Sequence, residues 1–292
     1  MSSRTALRLG RVSNLPTVWT NVLAGALLSG AGASALELAG LALCVSLLYV
    51  GGMYLNDAFD REIDARERPE RPIPSGEVRA STVFGVGFAL LGLGATGLAA
   101  LGAARGYAGP ACAAALGLSG LIVLYDVHHK QSRVAPLVMG LCRAGVYVSV
   151  ATALGGAPGS AVLLGSAALW AYVVGLTALA AQENLRRIRS GWPLLLLLAP
   201  VAVALGAGPP SLATLVLLAG YLAWIGLALH HLRARRIPLG VVTLIAGISW
   251  LDALLIAAAR PEPPPLGAPA LLLTAALAVA LTRALQTRVP GT

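Results

Sequence analysis

Charge is what this chain has least of. Only 11% of its 292 residues are Asp, Glu, Lys or Arg, where a soluble domain carries about 25%. Apolar residues make up 57%, which excludes a soluble globular protein and leaves an integral membrane protein. Cysteine is sparse too. Cys44, Cys112 and Cys142 all fall in apolar runs without CxxC spacing, so they read as small core residues and say little about redox compartment. The pairs His128-His129 and His230-His231 lack the HxxxH and HxxHH elements of membrane di-iron enzymes, and interfacial histidines need no special role. Long polar stretches are missing as well, the longest running from about 56 to 79. No soluble module folds alone, so the net charge of +9 has no basic patch on which to bind nucleic acid.

Apolar sequence fills the chain instead, in ten runs at about 13–31, 36–55, 80–103, 108–125, 134–155, 160–181, 192–207, 211–229, 238–259 and 266–282. Most reach the roughly 17–25 residues that a spanning helix needs. The run 192–207 is short enough for a re-entrant segment. With the loops assigned to alternating sides, one side receives all the basic residues except Arg105, Arg143 and Arg260, that is, all but three of 21. By the positive-inside rule that side, with the N-terminus, is cytoplasmic. Omitting 192–207 as a span would send Arg233, Arg235 and Arg236 to the other side, so it is kept. The basic start and Ala31-Gly32-Ala33 imitate a secretory signal, but Asn14, Pro16, Thr20 and Asn21 make a poor apolar core, and retention is expected.

The expectation is one membrane domain over 1–292, an all-α polytopic bundle of nine to ten transmembrane helices. Its core runs over 1–260, and a Pro-rich link, Pro261 to Pro265, leads over 261–292 to an extra C-terminal span. Gly85 with Gly87, or Gly92 with Gly94, would allow close helix approach.

The densest polar information is Asn56-Asp57-Ala58-Phe59-Asp60-Arg61-Glu62-Ile63-Asp64. Read as helix, Asp57, Asp60 and Asp64 stand at i, i+3 and i+7 on one face. Three like charges at the edge of a bilayer repel one another and are expensive there, so a positive partner must offset them. An all-oxygen donor set suits a hard divalent cation such as Mg²⁺, which usually also coordinates phosphates. Arg61, Arg66, Arg68 and Arg71 follow within a few residues, with the bidentate geometry that phosphate oxygens accept. Pro72, Pro74 and Ser75-Gly76 stiffen and turn that loop. Two further charges fall inside apolar runs, Arg143 and Asp252. Either they form an ion pair or Arg143 lines a cavity. Asn14, Asn21 and Trp19 are candidates for an acceptor wall, Trp19 equally for an interfacial anchor.

Asn56-Asp57-x-x-Asp60-x-x-x-Asp64, followed by Arg71-Pro72-Ile73-Pro74-Ser75-Gly76, resembles the first signature of the UbiA superfamily of intramembrane prenyltransferases. The resemblance implies about nine helices around a central cavity. It also implies Mg²⁺ holding an isoprenoid diphosphate against two Asp-rich motifs, and transfer of the prenyl group to a small acceptor, often aromatic. It assigns Mg²⁺–diphosphate binding to Asn56, Asp57, Asp60 and Asp64, with Arg71 in the same environment. Tyr125, Asp126, Lys130 and Arg133 stand where relatives carry phosphate-side residues. The second signature departs from the family: in Gln182-Glu183-Asn184-Leu185-Arg186 only Glu183 remains as a carboxylate for the metal, and Arg186 occupies an acid's place. With Ser13-Asn14-Leu15-Pro16-Thr17, this resembles the EboC-like subgroup. The implied reader of these features is an inner-membrane prenyltransferase acting on a prenyl diphosphate and a small-molecule acceptor amid membrane lipid. The alternatives are an isoprenoid-lipid binding or transport protein and a UbiA-type terpene cyclase.

Overall fold

A computed structural model describes residues 1–181, 191–259 and 267–289, and among them there are helices and no strands. In chain order the helices are α1 (Ser3–Leu9), α2 (Leu15–Ser29), α3 (Ala35–Phe59), α4 (Arg61–Glu67), α5 (Ala80–Ala104), α6 (Ala108–His128) and α7 (Ala135–Gly155). They continue as α8 (Ser160–Ala180), α9 (Trp192–Leu196), α10 (Ala199–Gly206), α11 (Leu212–Arg233), α12 (Ile237–Ala259) and α13 (Ala268–Gln286). Eight of them, α3, α5–α8 and α11–α13, are long and apolar enough to cross a membrane.

The remaining two expected passes are shorter, for local reasons. Pro16 opens α2, and Gly30, at φ 67°, closes it in the left-handed conformation that favours glycine. The 15 residues between span about 22 Å, short of a hydrocarbon core about 30 Å thick. The run 192–207 is split into α9 and α10. Pro200 lacks an N–H and its ring crowds the carbonyl four residues earlier, and Leu197 and Leu198 bond instead to Leu194 and Leu195 three residues back. By contrast α3 starts cleanly: Ser34 Oγ accepts from Glu37 N, and Glu37 Oε2 accepts from Ser34 N at 2.8 Å, a reciprocal capping box.

Two large clusters make up most of the apolar core, beside a small one of Leu9, Tyr54, Ala58 and Val83. Val18, Val22, Leu41, Leu48, Leu55, Leu98, Leu118 and Val150 join α2, α3, α5, α6 and α7. Leu169, Tyr172, Tyr221, Leu244, Leu251 and Leu254 join α8, α11 and α12. Helices α3 and α5 pack closely, so that a Cβ on Gly51 would lie 2.9 Å from Gly87 O and one on Gly94 would lie 2.7 Å from Cys44 O. Of the glycines singled out by spacing, Gly87 and Gly94 make that contact, while Gly85 and Gly92 face open space. Helix α12 is the most enclosed span, whereas α6 is mostly turned outward. Leu36, Leu43, Leu93, Leu116, Leu163 and Leu212 are exposed on the rim, as lipid-facing side chains are. The final helix α13 is docked rather than detached, packing on α12 and α2, with Gln286 Nε2 donating to Asn14 Oδ1 at 3.3 Å.

Candidate active site

Between the two halves of the core lies a cavity of about 700 Å³. Most of its polar residues come from one set of helix ends, among them Arg11, Asn56, Asp60, Arg68, Arg71, Tyr125, Asp126, His129, Lys130 and Arg133. Its apolar walls are Val18, Val45 and Leu48, Ile122, Met139 and Val146, Val173 and Leu176, and Val241, Ile245 and Ile248. From Asn56 back to Val45 along α3 is about 16 Å of helix rise. The cavity therefore has a charged mouth and a greasy interior.

The aspartates share a face across a helix break. α3 ends at Phe59, yet Asp60 stays in helical geometry (φ −76°, ψ −6°), its N–H reaches Asn56 O at 3.0 Å, and Asp64 N–H reaches Asp60 O at 2.8 Å. Asn56, Asp57, Asp60 and Asp64 are all buried. Their carboxylates are parted among cations. Asp57 Oδ1 accepts from Arg11 Nη2 at 3.1 Å and Arg71 Nη1 at 3.2 Å. Arg71 Nη1 also donates to Asp64 Oδ2 at 2.7 Å. Asp60 Oδ2 faces His129 Nε2 at 3.2 Å and Lys130 Nζ at 3.6 Å.

Neither Asp57 nor Asp64 lines the cavity, and among the described residues no three His, Cys, Asp or Glu side chains converge as a metal cage. Arg11 and Arg71 occupy Asp57, and Arg71 Nη1 bridges Asp57 to Asp64, so of the three expected aspartate ligands Asp60 is the one that lines the cavity in this arrangement. Burial lifts the Asp64 pKa above the ordinary carboxylate value while Arg71 pulls it down. Burial also opposes the Arg11 charge, but Asp57, Tyr49 and Tyr125 outweigh it and hold its pKa above the usual value.

Arg11 escaped the sequence reading as a site residue, since its partners lie 45 and 46 positions away. It adopts φ 41°, ψ 46°, a left-handed turn between α1 and α2 that a non-glycine residue seldom takes, and Nη2 also donates to Asn56 Oδ1 at 3.1 Å. His129, set aside as interfacial, faces Asp60 and stacks on Tyr125 with ring centroids 4.8 Å apart. Of the four loop arginines, Arg68 and Arg71 line the cavity. Arg61 turns away to Ala58 O, Glu62 and the Phe84 ring.

Asp126 is buried, accepts from Asn56 Nδ2 at 3.3 Å on Oδ1, and leaves Oδ2 without a hydrogen-bond partner. Lys130 and Arg133 line the mouth as expected. Gln182, Glu183 and Arg186 lie outside the described residues, directly after Ala180 and Ala181, which line the cavity.

Deeper in, Arg143 lines the cavity, and the alternative of a direct pair with Asp252 is corrected. Arg143 Nη1 donates to Asn21 Oδ1 at 2.8 Å, and Asn21 Nδ2 donates to both Asp252 oxygens at 3.0 Å. An amide stands between the two charges. Asn21 is therefore fully buried behind Arg143 instead of lining the wall, as is plain from its burial. Trp19 is exposed, donates Nε1–H to Ser46 Oγ at 3.0 Å and lies outside the cavity lining, while Asn14 is part of it.

Comparison with known proteins agrees with this architecture. The pattern of the UbiA prenyltransferase family matches residues 17–190. A digeranylgeranylglyceryl phosphate synthase from Methanothrix thermoacetophila is 40% identical over 97 residues, 32% of this chain and 36% of that one. One from Ignicoccus hospitalis is 42% identical over 91 residues, 31% of this chain and 29% of that one. The matched stretch thus spans about a third of the length of these curated relatives. Two solved structures share the fold. A UbiA homolog from Archaeoglobus fulgidus bound to GPP and Mg²⁺ has a TM-score of 0.53 at 16% identity, covering 97% of this chain and 99% of that one. The apo UbiA homolog from Aeropyrum pernix K1 has a TM-score of 0.51 at 19% identity, covering 95% and 98%. Since the family pattern covers more than half of the chain, from α2 through α8, the chain belongs to the UbiA prenyltransferase family.

Proposed function

We propose that this protein transfers an isoprenoid from its diphosphate to a small acceptor within the membrane. The observation that carries this reading is the cavity, cationic at its mouth and apolar inside. A diphosphate fits among Arg11, Arg68, Arg71, Lys130 and Arg133, and the prenyl tail follows the Val45–Leu48 and Val241–Ile248 walls. The match to digeranylgeranylglyceryl phosphate synthases and the GPP-bound neighbour support a prenyl diphosphate as substrate.

The mouth fits Mg²⁺ of the kind that takes one or two carboxylates and completes its shell with water and phosphate. Asp60 at the cavity wall, the unpartnered Asp126 Oδ2 and, if released by Arg11, Asn56 Oδ1 and Asp57 would hold it, and Glu183, outside the described residues, is the carboxylate that the second signature would contribute. When bound, Mg²⁺ would supply electrostatic stabilisation of the leaving diphosphate.

The chain's own residues do the rest. The allylic C–O bond breaks with its electron pair going to the diphosphate, and Arg71, Lys130 and Arg133 meet the growing negative charge. The apolar walls keep water from capturing the prenyl cation. The acceptor forms the new bond and gives up a proton. Charged helix ends gathered on one side, with Arg105 opposite, support a cytoplasmic mouth.

The test is diphosphate release by the purified full chain in lipid, with geranyl and geranylgeranyl diphosphate, Mg²⁺ or EDTA, and Asp60→Ala in parallel. Release that requires Mg²⁺ and Asp60 and rises with an acceptor supports transfer. Release unchanged in Asp60→Ala overturns it. A second reading draws on the cations already matched to Asp57, Asp60 and Asp64 and on the reduced second motif: an isoprenoid-lipid binding protein, which predicts saturable binding without release. A terpene cyclase predicts release that needs no acceptor.

A further inference from the structure

The ends of α11 and α13 carry positive charge that no carboxylate offsets. His230, His231 and Arg233 close α11, Arg235 and Arg236 form the turn into α12, and Arg283 and Arg288 stand at the end of α13. After Glu183 the chain has only two acidic residues, Asp252 and Glu262. Asp252 is held by Asn21 Nδ2 at 3.0 Å and by the Tyr147 hydroxyl at 2.5 Å, about 22 Å of helix rise from the start of α12. Glu262 follows the opposite end of that helix in sequence. None of the ion pairs among the described residues includes any of the five arginines. The charges of His230, Arg236 and Arg283 all bear on the His231 ring, so the two helix ends are near neighbours.

The turn keeps an arginine where the backbone favours glycine. Arg236 N–H donates to His231 O at 2.9 Å and Arg235 N–H to Leu232 O at 3.1 Å, the two bonds of a Schellman closure. Arg235 therefore sits at φ 59°, a left-handed position that glycine usually fills. Its charge is retained against that preference, as happens at functional sites. α12 begins at Ile237, and the positive end of its dipole meets the same cluster. Two polar atoms there, His231 Nδ1 and Thr282 Oγ1, are buried without a hydrogen-bond partner. A basic loop that only sets topology needs none of these features. The cluster stands on the mouth side of the bundle. Arg283 Nη1 donates to Gln286 Oε1 at 3.0 Å, Gln286 donates to Asn14, and Val241 lies one turn into α12; Asn14 and Val241 line the cavity, while the cluster itself does not.

We propose that the ends of α11 and α13, with the turn between α11 and α12, form a site for the headgroup phosphate of an anionic membrane lipid. The site is separate from the diphosphate site and does not depend on the prenyltransferase reading. Guanidinium groups pair with phosphate oxygens bidentately, and basic clusters at the ends of spanning helices attract anionic headgroups. A lipid is favoured over a soluble phosphate by the apolar surface beneath. Leu273, Leu277 and Leu281, four residues apart, make one exposed face of α13 that leads toward the cluster, and Leu222 and Leu227 are exposed on α11. Acyl chains lie along those faces while the headgroup meets the arginines. A bound headgroup also ties together the ends of α12 and α13, the elements that carry Val241 and hold Asn14 at the cavity.

The test is native mass spectrometry of the full chain in an uncharged detergent, titrated with dioleoyl phosphatidylglycerol, dioleoyl phosphatidylcholine or glycerol 3-phosphate. The wild type is expected to bind phosphatidylglycerol about 10- to 100-fold more tightly than phosphatidylcholine. Replacing Arg233, Arg235 and Arg236 together by Gln removes most of that preference. Replacing Arg4, Arg66 and Arg79 by Gln takes the same charge from exposed positions elsewhere and leaves the preference in place. Arg235→Gly weakens it severalfold while raising thermal stability in the absence of anionic lipid, since glycine relaxes the left-handed turn. Should the triple variant of the cluster fail to fold, Arg235→Gly carries the test. Equal binding of the two lipids overturns the proposal, as does a preference that survives the cluster variant or, in its stead, Arg235→Gly. An equal loss in the variant of Arg4, Arg66 and Arg79 overturns it too, because the attraction would then be diffuse positive charge. Displacement of phosphatidylglycerol by an equal concentration of glycerol 3-phosphate would assign the cluster to a soluble phosphate and likewise overturn the lipid.

Discussion

The mouth and the floor of the cavity solve the same problem, charge inside an apolar bundle, in opposite ways. At the mouth, Asp57, Asp60 and Asp64 touch Arg71 from the following loop and Arg11, His129 and Lys130 from distant segments directly. At the floor, Arg143 and Asp252 are kept apart by Asn21 and held within three packed helices. Direct pairs at a half-open mouth can exchange partners when an anion or a divalent cation arrives. A bridged pair in the buried interior has no such freedom, since every group lost leaves another unsatisfied. The mouth is built for exchange and the floor for fixed orientation.

Substitutions separate the two. The largest effect is expected from Asp60→Ala, which should lower the rate of diphosphate release at least about 100-fold with little change in thermal unfolding. If unfolding shifts as much as the rate, Asp60 is a structural pair and the contrast with the floor collapses. Next, Arg71→Gln removes a cation from both Asp57 and Asp64 and should weaken geranyl diphosphate binding about 10- to 100-fold, as read by calorimetry. Binding that tightens instead would mean that Arg71 serves only to balance those aspartates. Asp252→Ala acts on the floor: with Asn21 Nδ2 and Tyr147 OH left without their acceptor, it should cost about 1–3 kcal/mol of stability in thermal denaturation while geranyl diphosphate affinity holds. The smallest effect belongs to the rim outside both regions. Glu77, paired with Arg8 at 3.2 Å and bonded to Thr5, is exposed, so Glu77→Gln should change stability by less than about 1 kcal/mol and leave release untouched.

Much of this site is legible in sequence because its residues stand close together. Asn56, Asp57, Asp60, Asp64 and Arg71 lie within sixteen positions, and helical periodicity is enough to put the aspartates on one face. Lys130, Arg133, Tyr125 and Asp126 follow from the alternation of spans, which returns α6 to the same side as α3. Arg11 and His129 were not legible as site residues: one depends on a left-handed turn and the other on which ring face meets Tyr125. The Asn21 bridge was out of reach for the same reason, since three helices must be packed before an amide from the first can separate charges on the others. The division of 192–207 into α9 and α10 had a local signal in Pro200, which the apolar count overrode.

By itself the sequence determined that this chain is a polytopic helical bundle with acidic and basic side chains gathered at one set of helix ends. Hydropathy, charge parity and a short-range motif carry that much, because each depends on residues near one another along the chain. Only the tertiary structure decided how those charges are shared out, which carboxylates face the cavity, and that Arg143 stands open to it while Asp252 does not. Those outcomes depend on contacts between segments from 46 to 231 residues apart, where an ångström decides between an ion pair and a bridge.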